Sequence, residues 1–227
     1  METCPNCGTK LTTSIFKENL PLNNKEVELI NRFSEFNCDG YCQKCNNENN
    51  LLGNAKKEYF KLKNELADSL NAMTSELTEL SQFVPIVSLH TPQDWKYKSI
   101  EIISAQVVSG TGIVAEITSN WTDFFGMDSG VYNEKVKNAE VKCKSLLRMQ
   151  TINLGGNAIL GTDIDYSEAG GGKGMLMVCM AGTAVKITNL QELEYNSSAL
   201  NKLGELVKSI KEKIALQEEL NGFGNFY

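Results

Sequence analysis

Apolar residues recur at helical spacing through residues 55–82. Tyr59, Leu62, Leu66, Leu70, Met73, Leu77 and Leu80 fall three or four apart, with Lys, Glu, Asn and Ser on the opposite side. The pattern predicts one long helix, stopped by Pro85. Such a stripe serves either to pack the helix on its own domain or to form a seam that joins protomers or spaces two parts of the chain; the near-heptad run is short for a coiled coil. The same periodicity predicts three further helices. One is Lys25–Phe36, capped by Asn24, with Val27, Ile30, Phe33 and Phe36 on one side. Another is Tyr132–Leu154, carrying Val136, Ala139, Cys143, Leu146 and Leu147 and ended by Gly155-Gly156. The last is Ser198–Leu220, striped by Leu200, Leu203, Leu206, Val207, Ile210 and Ile214. The aromatic tail beyond it, 222–227, is expected to be loose unless it docks on a neighbour.

Period-two and continuous apolar runs fall elsewhere. Ile86-Val87-Ser88-Leu89 predicts a short strand before a turn, His90–Asp94. Tyr97–Gly110 contains the next, with Ile100, Ile102, Ser104 and Gln106 alternating against Glu101, Ile103, Ala105 and Val107. Ala158–Tyr166 and Met175–Met180 predict two more, separated by a flexible loop, Ser167–Gly174. Met175–Met180 is apolar at every position and is expected to be buried on both faces. The chain divides on this reading into a small N-terminal segment (1–52), a helical connector (53–83), a folded domain (84–190) and a C-terminal helix with its tail (191–227).

Composition narrows the function classes. The 227 residues are 41% hydrophobic and carry a net charge of −6, so the whole chain has no basic footprint for nucleic acid. No apolar run reaches the length of a membrane span. Met1-Glu2-Thr3-Cys4 has neither the basic nor the apolar region of a secretory leader, and the expectation is a cytoplasmic protein.

The cysteines carry the sharpest chemistry. Five of the seven lie within the first 45 residues: Cys4-Pro5-Asn6-Cys7-Gly8, then Cys38, then Cys42-Gln43-Lys44-Cys45-Asn46. Two thiolates two residues apart on one tight turn reach the same ion, and two such turns close a tetrahedron. Gly8 and Asn46 follow the pairs and tolerate the positive φ needed to curl the chain back beneath a metal. Cys4, Cys7, Cys42 and Cys45 are therefore the expected zinc ligands, with Cys38 as the alternative. Four thiolates leave no open position, so the Zn2+ would be structural. A segment this small buries little core, and the metal would supply much of its folding energy.

The remaining candidates are weaker. Asp163 and Asp165 project from one strand face, a candidate cation site or acid/base pair, but neither His, Cys nor a third carboxylate accompanies them. His90, the only histidine, reads as a turn residue. Met175, Met177 and Cys179 share a face that could read as a soft-metal stripe, although core packing is the commoner use. Cys143 reads as a small core residue. Gly110-Thr111-Gly112 lacks the βαβ unit of a dinucleotide site, and Gly172-Lys173 lacks the Ser or Thr of a phosphate loop. The aromatic run Trp121–Gly126 suits a core plug or a subunit contact.

Val108-Ser109-Gly110, Phe124-Phe125-Gly126, Ser129-Gly130 with Tyr132, Gly155–Tyr166 and Met175–Val185 together resemble the YbjQ family, whose members carry a heavy-metal-binding label. The resemblance runs from about Ile86 to Lys186. It implies a dodecin-like α+β domain that assembles with copies of itself into a ring, usually a pentamer. Cys179 stands where a small polar residue is expected, which argues against a family-wide thiolate role. A ring would turn Asp163 and Asp165 into a circle of carboxylates able to hold a second metal ion in the core domain. The reading is a non-enzymatic, ring-forming, metal-binding protein with an N-terminal zinc ribbon. The alternatives are a ring-shaped scaffold that meets a protein partner through its ribbon or helices by avidity, and, more weakly, an enzyme using Asp163 and Asp165.

Overall fold

The computed structural model describes residues 3–12, 19–109, 131–169, 175–193 and 196–223. The Gly110-Thr111-Gly112, Trp121–Gly126 and Gly172-Lys173 motifs lie outside the described residues, as do Ser129-Gly130 and positions 224–227. The elements in order are α1 (Asn24–Phe33), α2 (Gln43–Asn49), α3 (Leu51–Ser81), β1 (Tyr97–Ser109), α4 (Val131–Asn153), β2 (Ala158–Ala169), β3 (Met175–Ile187) and α5 (Ser197–Gly222). They form two compact units. One comprises residues 1–74 with 208–227, the other 75–207.

In the first unit α1 begins one residue earlier than its pattern suggests. Asn23 is the cap: its side chain accepts from the Glu26 N–H while the Glu26 carboxylate accepts from the Asn23 N–H, a reciprocal capping box. The helix ends at Phe33, where the Ser34 hydroxyl donates to the Ile30 carbonyl. α3 starts at Leu51, four residues before the expected start at residue 55, because Asn50 adopts a left-handed conformation (φ 49) that separates it from α2. Leu29, Ile30, Tyr41, Leu51, Ala55, Tyr59, Leu66 and Leu220 form one buried core. The lower stripe of α3 is therefore packed within its own chain. The Tyr59 hydroxyl donates to the Leu220 carbonyl at 3.2 Å, and the Phe33 ring packs nearly perpendicular to the rings of Tyr59 and Phe223. Arg32 pairs with Glu219 and lies over the Phe223 ring.

The second unit is an antiparallel sheet of order β1-β3-β2 with α4 on one face. This is the mixed helix and small antiparallel sheet of an α+β fold. The expected strand at Ile86–Leu89 forms a single bridge, Ile86 to Ile159, yet it runs parallel along β2. Val87 and Ile159 donate to Ile159 and Pro85 carbonyls, and Gly161 and Thr162 donate to those of Leu89 and Val87. The core under α4 joins Ile103, Ala105, Ala139, Cys143, Leu147, Ile159, Val178, Met180 and Ala184. Cys143 is buried among them, its thiol donating to the Val178 carbonyl, as a small core residue should be. Burial pushes that thiol up from its ordinary pKa. Gly155, at φ 82, turns the chain out of α4, and the N–H groups of Gly155 and Gly156 return to the Ile152 and Thr151 carbonyls.

Two strand expectations need correction. β2 runs on to Ala169, past the expected loop start at Ser167, because its pairing with β3 continues to Ala169 opposite Met175. β3 is not buried on both faces: Val178 and Met180 are enclosed, but Met177 and Cys179 are only half-buried. The reason is that α4 covers one face only. On the other, Ala158, Leu160, Val185 and Ile187 are packed by Trp95, Leu190 and Leu193 at one end of the sheet. Further along that face Ile102 is 79% exposed.

Candidate metal centre

The cysteine site is built from two turns that the sequence brings together across more than thirty residues. At the first, the Gly8 N–H donates to the Cys4 carbonyl at 2.8 Å and the Cys4 N–H to the Thr9 carbonyl at 2.8 Å. Gly8 sits at φ 70 with open space around its α-carbon, so the curl rests on backbone freedom. The second turn differs from expectation. Asn46 is helical, its N–H bonded to the Cys42 carbonyl at 3.0 Å, because Cys42 forms the N-cap of α2 and Cys45 lies in its first turn. A helix start positions the second sulfur here without a positive φ. Pro21 bridges to Cys42 and Leu20 accepts from the Gln43 N–H, which fix this turn to the strand-like segment before α1.

The four sulfurs of Cys4, Cys7, Cys42 and Cys45 all lie within 4.8 Å of one another. Cys7 and Cys42 are 3.6 Å apart, Cys42 and Cys45 3.7 Å, and Cys4 and Cys45 3.9 Å. A tetrahedron with zinc–sulfur bonds of about 2.3 Å has edges of about 3.8 Å. The donor set thus fits a four-thiolate ion in both chemistry and size. Cys4, Cys42 and Cys45 are buried in the apolar core of the first unit, and Cys7 is exposed. The Cys42 N–H points at the Cys45 sulfur at 3.3 Å, a donor that favours the thiolate.

Electrostatics divides the first pair. Burial pushes the Cys4 thiol up to about 12. Cys7 is drawn down to about 6, first by the Thr9 hydroxyl, 3.3 Å from its sulfur, and then by the Thr9 backbone. A buried thiol that resists ionisation is one that a cation would have to deprotonate, so uptake of a metal here would release protons and strengthen as pH rises.

Thr9 and Asn31 escaped the sequence reading. Asn31 on α1 accepts from the Cys38 N–H and the Tyr41 hydroxyl, and its amide donates to the Cys38 carbonyl. It thereby ties the loop carrying Cys38 to the helix. Cys38 is half-buried and falls outside the four-sulfur group. A lone asparagine within a helical pattern gives no signal of such a role.

The other candidates are placed differently. Asp163 and Asp165 stand on β2 opposite Ala181 and Cys179, both exposed. Each carboxylate accepts from the N–H of the next residue, Ile164 at 3.0 Å and Tyr166 at 2.9 Å. Ile164 and Tyr166 pair opposite Met180 and Val178, and the Tyr166 hydroxyl reaches Glu140 of α4, so the aspartates share the face away from that helix. Among the described residues, the four cysteines are the one group of three or more His, Cys, Asp or Glu side chains able to converge on an ion. His90 is exposed beside Gly161, and its carbonyl accepts from the Tyr97 hydroxyl. No helix among the described residues is long and apolar enough to cross a membrane.

Comparison with known proteins bears on the second unit. Residues 85–188 match the family described as "Putative heavy-metal-binding", YbjQ. A UPF0145 protein of Clostridium botulinum is 34% identical over 90 residues, which are 40% of this chain and 83% of that protein. A UPF0145 protein of Pasteurella multocida is 33% identical over 101 residues, 44% of this chain and 92% of its own. One from Clostridium kluyveri is 36% identical over 92 residues, 40% and 85% respectively. A crystal structure of a protein of unknown function from Pediococcus pentosaceus, placed in the DUF74 family, aligns with 45% of this chain and 96% of its own at 16% identity. The TM-score of that alignment is 0.32. The cysteine site lies wholly outside the matched span, so the family's description does not speak for it. Through residues 85–188, the chain belongs to the YbjQ family of UPF0145 proteins.

Proposed function

We propose that this is a metal-binding protein in which Cys4, Cys7, Cys42 and Cys45 hold one structural Zn2+ as a zinc ribbon, beside a YbjQ-like core that assembles with copies of itself into a ring, most simply a homopentamer. The observation that carries the metal reading is the approach of four sulfurs from two distant turns at the edge lengths of a thiolate tetrahedron. An all-sulfur tetrahedral set suits zinc and leaves no open position for substrate, which supports a structural role. The ribbon supplies fold stability and a fixed surface. The exposed Ile102, in the middle of a strand of a sheet with α4 on its other face, supports self-association of the core. Metal analysis of the intact chain tests the first part: about one zinc per chain is expected, and none in a Cys42→Ser variant. A full complement of zinc in that variant would remove the ribbon reading.

A second reading, a ring-shaped scaffold with no ligand in its core, rests on the aspartates having no third ligand beside them among the described residues. It would gather several ribbons onto one protein partner by avidity. Asp163 and Asp165 hold a second ion only where an assembly supplies further carboxylates. Metal titration of the zinc-loaded chain against its Asp163→Asn, Asp165→Asn double variant separates the readings. Saturable binding lost in the variant assigns the aspartates; no binding in either protein leaves the scaffold.

A further inference from the structure

The four sulfurs are unequally shielded. Cys42 is 0% exposed and Cys4 and Cys45 are each 2% exposed, while Cys7 stands at the surface. The only sulfur of the set that a dissolved reagent meets directly is therefore Cys7. Its sulfur is also 3.6 Å from that of Cys42, on the other turn. A disulfide needs about 2 Å between sulfurs, so a shift of about 1.6 Å at two side chains would join them. Such a bond takes one ligand from each turn and leaves two thiolates, too few for a closed tetrahedral site.

We propose that the cysteine centre is a hydroperoxide-sensitive switch, in which Cys7 is oxidised first and Cys42 resolves it, releasing the metal. This rests on the zinc reading above. The Cys7 thiolate attacks one peroxide oxygen, the O–O bond breaks, and the leaving alkoxide or hydroxide takes a proton from solvent as alcohol or water. Cys7 is now a sulfenic acid, oxidised by two electrons. The Cys42 thiolate then attacks the Cys7 sulfur, the S–O bond breaks, and the departing hydroxide takes a second proton as water. In sum, two thiolates, one hydroperoxide and two protons give one disulfide, one alcohol or water, and one water. Cys4 and Cys45 remain reduced at this stage, which makes the change reversible by a dithiol reductant.

The switch couples to the fold because Cys42 is the N-cap of α2 and bridges to Pro21. Moving its side chain toward Cys7 loosens the turn that fixes α2 to the segment before α1. Cys38 takes no part: it lies outside the four-sulfur group, its backbone held by Asn31.

The test uses the full chain, zinc-loaded, with hydrogen peroxide added in sub-stoichiometric steps. Released zinc is read with a chromogenic chelator, and disulfides are mapped by mass spectrometry of non-reduced peptides. The expected result is about one zinc released per disulfide, with Cys7–Cys42 as the first bond and zinc uptake restored by dithiothreitol. Cys38→Ser is expected to release zinc equally well. Retention of zinc under peroxide, a first disulfide that omits Cys7, or protection by Cys38→Ser would each overturn the switch. Zinc analysis before oxidation separates the two readings: less than one zinc per chain defeats the ribbon and the switch together, whereas a full complement that peroxide spares defeats the switch alone.

Discussion

At the residue scale the four cysteines proposed to hold the metal stand apart from Cys38. Cys42→Ser removes a buried sulfur that touches two others, whereas Cys38→Ser alters a thiol outside the group. A structural four-thiolate zinc is worth on the order of 10 kcal/mol to its fold. Cys42→Ser is therefore expected to lose the metal and to flatten the near-ultraviolet dichroism of Tyr41 and its neighbours. Cys38→Ser should keep both, and metal content with dichroism checks the contrast. The pairs Cys4/Cys7 and Cys42/Cys45 were legible in the sequence because spacing alone states which sulfurs can share an ion. Thr9 and Asn31 were not, because their roles depend on where the chain returns in space. A second residue-scale case lies in the sheet. A methyl at Gly182 would come 2.7 Å from Ile159 Cγ2 and 3.3 Å from the Leu160 carbonyl. Ile159 is fully buried under α4 and cannot give way. Gly182→Ala is expected to cost about 1–3 kcal/mol, as overpacking does, and urea unfolding monitored by far-ultraviolet dichroism measures it.

At the element scale the helices followed their apolar spacing, and their ends followed local chemistry. Asn23 and Glu26 close α1 reciprocally, so Asn23→Ala is expected to cost about 1 kcal/mol. Denaturation of the first unit, followed by tyrosine fluorescence, should show that loss while metal content stays unchanged. The strands were harder to place. Ile86–Leu89 is apolar enough to read as a strand, yet it makes one bridge and a short run of bonds along β2. β1 and β2 carry register shifts between Ser99 and Glu101 and between Leu160 and Asp163. These irregularities exchange faces partway along a strand, so a fixed two-residue alternation cannot assign every side chain. The uniformly apolar run of β3 likewise could not reveal that one of its faces is half open.

At the scale of the whole molecule, the expectation that residues 1–52 lean mainly on a metal acquires a second term. The cysteines share their core with Tyr59 and Leu66 of α3 and Leu220 of α5. A strong chelator is therefore expected to remove zinc and the near-ultraviolet signal of the first unit while most far-ultraviolet helical signal survives. Collapse of both signals together would show that the helices give the cysteine turns no independent support. Assembly has its own test. Ile102 is 79% exposed at mid-strand, and a charge there would oppose any packing against it. Light scattering of the intact chain is expected to give a multiple of the 25.1 kDa chain mass, and Ile102→Lys a smaller particle. A strictly monomeric intact chain would remove the ring.

The sequence by itself determined what is local or carried by a repeating pattern. That includes four helices by their stripes, the two thiol pairs by their spacing, and the YbjQ character of residues from about Ile86 to Lys186 by its motifs. These depend on neighbours a few positions apart, where backbone geometry leaves little choice. Only the tertiary structure decided which distant segments meet. It brought Leu220 onto Tyr59 and Glu219 onto Arg32, and it left Cys7 alone of the four clustered cysteines at the surface. It also set Asp163 and Asp165 on an exposed strand face, each bonded to its own following N–H. The physical reason is that burial and convergence are properties of the packed chain: the same cysteine or aspartate is ligand, core residue or solvated surface according to what the fold places within a few ångströms of it.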